Sequence, residues 1–134
     1  MAVQGNVKTV QDLYAAFGRG DIPFISSALA EDVEWYEPPG GEPPFKGTYR
    51  GREGVGQFFT WLAEAVEVES FEPREFYAQG NTVVALGRYR FRARKTGKAY
   101  ETDWTMVWRF RDGEVARFEV HKDSAAEAAA LRNG

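Results

Sequence analysis

The hydrophobic period of this 134-residue chain changes once, close to Glu67, and such a switch is the mark of helices packed on a sheet. Upstream the spacing is helical. Val7, Val10, Leu13, Tyr14 and Phe17 share one face of a helix that Asn6 is placed to cap and Gly18 and Gly20 to end. Asp21 caps a second, short helix, with Pro23 in its first turn and Ile22, Ile25 and Leu29 inward. A strand is expected over 33–37, then a Pro/Gly loop as far as Arg50. Val55, Phe58, Phe59, Leu62 and Val66 follow at i, i+3, i+4, i+7 and i+11, an unbroken apolar stripe with Trp61 beside it.

Downstream the period is two. Four strands are divided by Gln79-Gly80-Asn81, Thr96-Gly97-Lys98 and Asp112-Gly113. Connections this short join antiparallel neighbours, which predicts a strongly curved meander. Ser124 stands three residues before Glu127, the capping-box spacing, ahead of an Ala-rich helix to Arg132. No repeat, linker or low-complexity segment divides the chain, so a single α+β domain is expected over 1–134.

Composition narrows the function classes. A net charge of −3 argues against nucleic acid as a partner, since phosphate binding needs a basic surface. Without cysteine there are no disulfides, no thiolate chemistry and no Cys-bound metal, and a single histidine rules out a multi-histidine metal site. No cofactor is called for. The N-terminus lacks a secretory pattern and no apolar run is long enough to span a membrane, so a cytoplasmic protein with no membrane partner is expected. Four Trp, six Tyr and ten Phe exceed what a minimal core requires, which leaves aromatics to line a cavity or a subunit interface.

The candidate site follows from strand parity. Alternation puts Val33, Trp35 and Glu37 on one face of the first strand, so Glu37 becomes an acid at the edge of an apolar space. Desolvation there raises a carboxyl pKa and suits it to accept a proton. Trp104, Met106, Trp108 and Phe110 share a face, as do Tyr89 and Phe91, and Phe118 and Val120 share theirs with Lys122. Parity thus lets Lys122 pair with Glu37, while His121 points away. Tyr14 belongs to core or pocket alike. The candidate catalytic residues are Glu37, Tyr14 and Lys122. The candidate ligand-binding residues are Phe17, Trp35, Phe58, Phe59, Tyr89, Trp104, Met106, Trp108, Phe118 and Val120. A cone filled by these same side chains is the alternative. Arg88, Arg90, Arg92 and Arg94 form an outer stripe, which acids at 69, 72, 75, 101 and 103 can interleave, as a solvated or dimer-facing surface. Glu42 is expected in solvent and Asp123 at a helix end.

Several motifs carry a resemblance. They are Tyr14-Ala15-Ala16-Phe17-Gly18-Arg19-Gly20-Asp21-Ile22, Leu29-Ala30-Glu31-Asp32-Val33-Glu34-Trp35, Gly47-Thr48-Tyr49-Arg50-Gly51-Arg52-Glu53 and Val107-Trp108-Arg109-Phe110-Arg111-Asp112-Gly113, with the late Asp123-Ser124. The chain resembles SnoaL-like and ketosteroid-isomerase-related members of the nuclear transport factor 2-like superfamily over nearly its whole length. The resemblance implies a cone-shaped curved antiparallel sheet wrapped around N-terminal helices. It puts Glu37 where steroid isomerases carry an aspartate base. Their oxyanion positions fall on Met106 and Leu13, which stabilise no enolate, so the standard steroid-isomerase route is not implied. Met106 also departs from the acid of the polyketide cyclases. Three functions remain: an isomerase-, cyclase- or lyase-type enzyme with Glu37 as general base on a small hydrophobic ligand, a non-catalytic binder of such a metabolite, or a dimeric protein-interaction module.

Overall fold

The computed structural model describes residues 2–132; Met1, Asn133 and Gly134, the ends of the expected 1–134 domain, lie outside them. The elements are α1 (Ala2–Gly18), α2 (Ile22–Ser27), β1 (Leu29–Glu37), β2 (Gly47–Arg50), α3 (Gly51–Ala65), β3 (Val66–Gln79), β4 (Thr82–Ala93), β5 (Ala99–Arg111), β6 (Glu114–Lys122) and α4 (Ser124–Leu131). Six strands make one curved, unclosed sheet in the order β2-β1-β6-β5-β4-β3. Helices α1, α3 and α4 pack against the sheet, α1 and α3 sharing its main core, and the fold is the expected α+β class.

The meander β3-β4-β5-β6 is antiparallel throughout, as its short turns require. Asp112 (φ 53°) and Gly113 (φ 81°) both take left-handed backbone, the conformation a tight hairpin asks of an Asp-Gly pair. Sequence order alone does not foresee that β1 pairs β6 in parallel, with Trp35 opposite Phe118 and Tyr36 opposite Glu119. That pairing lays the Trp35 ring on Phe118. β2 was hidden inside the expected loop: residues 47–50 zip onto β1, Tyr49 opposite Trp35.

Three boundaries differ from expectation. Asn6 does not cap α1, which begins at Ala2 and buries Asn6 in its body. β1 starts four residues early, at Leu29. Val66 opens β3 instead of closing α3, yet it stays buried, because the sheet face continues the helix's apolar stripe. Asp21 caps α2 as expected, accepting from the Phe24 amide at 3.1 Å.

On the outer face Arg88 meets Asp103 at 2.8 Å, and Glu69 meets both Arg90 and Arg92 at 2.7 Å. The expected stripe is shorter than its sequence. Arg94 lies past the end of β4 and donates to the Ala63 carbonyl near the end of α3, while Glu72 pairs with Arg74 on its own strand. His121 is exposed and pairs with Glu119 at 3.2 Å. No helix among the described residues is long and apolar enough to cross a membrane.

Candidate functional site

Inward residues of β1, β5 and β6 and the apolar stripes of α1 and α3 converge on one aromatic cavity of about 60 Å³. Trp35 forms its centre. It stacks on Phe118 with centroids 3.9 Å apart and meets Trp108 and Phe59 edge-on at 5.7 and 5.6 Å. Phe58, Phe59 and Leu62 come from α3, Leu13, Tyr14 and Phe17 from α1, and Met106 and Val120 from the sheet. Tyr14, Phe17, Phe71 and Met106 are the half-buried apolar residues of the lining, so the cavity wall is nearest solvent there, at its mouth side. The far end is closed by Glu37, Lys122 and Phe45, all with fully buried side chains.

That polar end has a definite order. Lys122 Nζ lies 2.9 Å from Glu37 Oε1 and 2.6 Å from Glu127 Oε1, at ion-pair distance but outside good hydrogen-bond angles. Glu127 Oε2 accepts from the Tyr89 hydroxyl at 2.6 Å and the Tyr100 hydroxyl at 2.5 Å. The Lys122 ammonium also sits 4.5 Å above the Phe45 ring and 5.8 Å from the Tyr89 centroid. One cation is thus shared by two buried carboxylates. Burial pushes the Glu37 pKa up to about 7; Lys122 opposes this and the Glu127 charge adds to it. For Lys122, burial pulls down, but the two carboxylates outweigh it and hold the ammonium above its ordinary range. A buried carboxyl whose pKa is raised in this way is suited to take or to give a proton.

Tyr14, at the other end, accepts from the Trp108 indole at 3.0 Å and offers its own proton only to the Met106 sulfur at 3.3 Å, a weak acceptor. Its hydroxyl is a donor with little to bond. Burial raises its pKa, so it stays neutral. The Trp35 indole N–H is buried and has no acceptor among the described residues.

Two residues expected to line the cavity stand behind its wall. Trp104 stacks on Phe71 (5.2 Å) and lies across Gly87, where a Cβ would come within 2.3 Å of its ring. Tyr89 turns its hydroxyl to Glu127. Leu13, Ile25, Leu62, Phe71 and Phe91 line the cavity without having been expected there, and so does Phe45, while Glu127 joins the polar end. Phe45, in the Pro/Gly loop, was masked by its flanking prolines; its ring is fully buried against Phe58 and Phe91. Glu127 reads as a capping residue, but Asp123 caps α4 instead, accepting from the Ala126 amide at 3.0 Å, and Glu127 is fully buried. Its signal was present: it is the one charge in Ser124–Leu131. Glu42 is half-buried and bound to Arg132 at 2.7 Å, not free in solvent. Among the described residues no three His, Cys, Asp or Glu side chains gather as a metal site.

A model of the SnoaL-like domain matches residues 10–118. The chain belongs to the SnoaL-like family. A crystal structure of a nuclear transport factor 2-like protein from Burkholderia xenovorans is 37% identical with a TM-score of 0.89, covering 98% of this chain and 99% of that one. The structure of TerC co-crystallized with polyporic acid is 30% identical, with a TM-score of 0.86 over 96% of this chain and 99% of that one. An uncharacterized Mycobacterium tuberculosis protein is 26% identical over 94% of this chain and 95% of its own length. Within this SnoaL-like chain, Lys122 and Glu127 both lie beyond the matched domain.

Proposed function

We propose that this SnoaL-like protein binds a small, largely apolar ligand in the aromatic cavity and exchanges a proton with it through Glu37, in isomerase-, cyclase- or lyase-type chemistry that needs no cofactor. One observation carries the reading. A fully buried carboxyl, its pKa raised by that burial, stands at the end of an aromatic cavity with an ammonium 2.9 Å away to stabilise its charged form. Tyr14 supplies the complementary group, a hydroxyl whose oxygen already accepts from Trp108 and whose proton, held only by the weak Met106 sulfur acceptor, can turn to a carbonyl oxygen. Catalysis by steroid-isomerase logic lacks its acidic donor here, since Met106 stands at that position. Proton transfer at Glu37 does not depend on that donor.

The cavity as it stands has room for a few waters, whereas occupied ligand sites span several hundred Å³. An aromatic ligand enters only as the half-buried mouth residues turn aside. Polyporic acid, present in crystals of the 30% identical TerC, is the natural first probe. Calorimetry in buffers of different ionisation enthalpy reads protons exchanged on binding. The wild type should exchange a fraction of a proton near pH 7 and bind less tightly as pH rises through 7, because the ionised Glu37 repels an acid. Glu37→Gln should abolish both trends. Absence of binding, or binding identical in the variant, rejects the reading.

A homodimer through the outer sheet face belongs to the same proposal. The interleaved Arg and acid rows of β3, β4 and β5 support it, because such rows are self-complementary about a two-fold axis. Light scattering should report twice the 15.1 kDa chain mass; a single-chain mass rejects the dimer.

A further inference from the structure

Glu127 has no role in the proton exchange proposed above, yet it is the most enclosed charged side chain in the described core. Burying a carboxylate is costly unless its charge is met, and here one oxygen is ion-paired with Lys122 and the other accepts from two tyrosine hydroxyls. The tyrosines come from β4 and β5, the lysine from the last residue of β6, and the acid from α4. Four elements thus spend buried polar groups on placing one ammonium. Its remaining exposure is toward Glu37, and Phe45 covers its flank.

We propose that Glu127 is a positioning residue for the cavity: held by Tyr89 and Tyr100, it fixes the Lys122 ammonium against Glu37 and divides that charge between two carboxylates, so that Glu37 keeps an exchangeable proton. The inference rests on Glu37 being the proton-handling group, and it concerns how that group is set. The groups that face Glu37 are Lys122 from β6, Glu127 from α4, Tyr89 from β4, Tyr100 from β5 and Tyr49 from β2, whose hydroxyl is engaged with the Pro44 carbonyl at 2.7 Å. Of these only Glu127 competes with Glu37 for the cation. Neutralising it would hand the whole ammonium to Glu37. Removing both members of the Lys122–Glu127 pair would leave Glu37 in an apolar pocket with no cation at all.

The two cases shift Glu37 in opposite directions, and the titration needs no ligand. In unliganded protein labelled with carboxyl 13C-glutamate, Glu127→Gln should lower the Glu37 midpoint by at least about one pH unit, roughly tenfold in acid constant. The double variant Lys122→Met/Glu127→Gln should raise it by a similar amount. The double change removes both charges, leaves neither unpaired, and so remains informative if the single variant fails to fold. A residue that merely stabilises α4 would lower the melting temperature without moving the midpoint. An unmoved midpoint in folded Glu127→Gln, or in the double variant, overturns the inference. Proton-linked binding of polyporic acid to wild type is a separate measurement, so loss of the Glu37 reading and loss of the Glu127 role are distinguishable.

Discussion

At the scale of single residues, the site turns on how many charges share one buried space. Glu37 and Glu127 both lie beside Lys122, so a proton taken up by Glu37 relieves the surplus negative charge, in the direction its raised pKa has. That has a consequence for stability. The Glu37 pKa is about 7 folded against an ordinary 4.5, so between those values the native state holds a proton that the unfolded chain has lost. Stability due to this group is therefore highest below pH 4.5, falls as pH rises toward 7, and levels off above. The fall is up to about 3 kcal/mol. Urea unfolding of wild type and Glu37→Gln over pH 5–8 should show the slope only in wild type; parallel curves would refute it. Parity along β6 had already turned Lys122 inward in the sequence. It holds because the bulge in β6 lies upstream, opposite Arg109 and Phe110, and leaves 118–122 in phase.

At the scale of elements, α4 shows how a local motif misleads. Ser124 and Glu127 have capping-box spacing, yet the cap moves one residue back to Asp123 and the acid is drawn inward by partners on three strands. Propensity and caps set where a helix begins; the surroundings decide which face it buries. Asp123→Ala removes the side-chain acceptor of the Ala126 amide and should cost about 1 kcal/mol in chemical denaturation. Ser124→Ala should cost much less, the reverse of what the capping-box spacing implies. The Pro/Gly loop was legible as a loop but not as wall and strand. Phe45 and the short β2 acquire their places only by packing on β1 and α3.

Across the whole molecule, the single change of hydrophobic period was enough for the fold class, because local alternation and short turns dictate an antiparallel meander wherever they occur. It also assigned faces, and so put Glu37, Trp35, Trp108, Phe118 and Lys122 on one side of the sheet. Faces are not distances. That Glu37 lies beside Lys122 depends on β1 inserting parallel to β6, with Trp35 opposite Phe118, a pairing across some eighty residues that no local pattern records. The displacement of Tyr89 and Trp104 from the cavity, and the arrival of Phe45 and Glu127, follow from the same long-range register and from sheet curvature. The amino-acid sequence by itself determined most of the elements, their inward faces and the family, and it put Glu37 on the aromatic face of the first strand. Only the tertiary structure decided which charges share that acid's space, because side-chain periodicity is local while electrostatic partnership is set by strand pairing between distant parts of the chain.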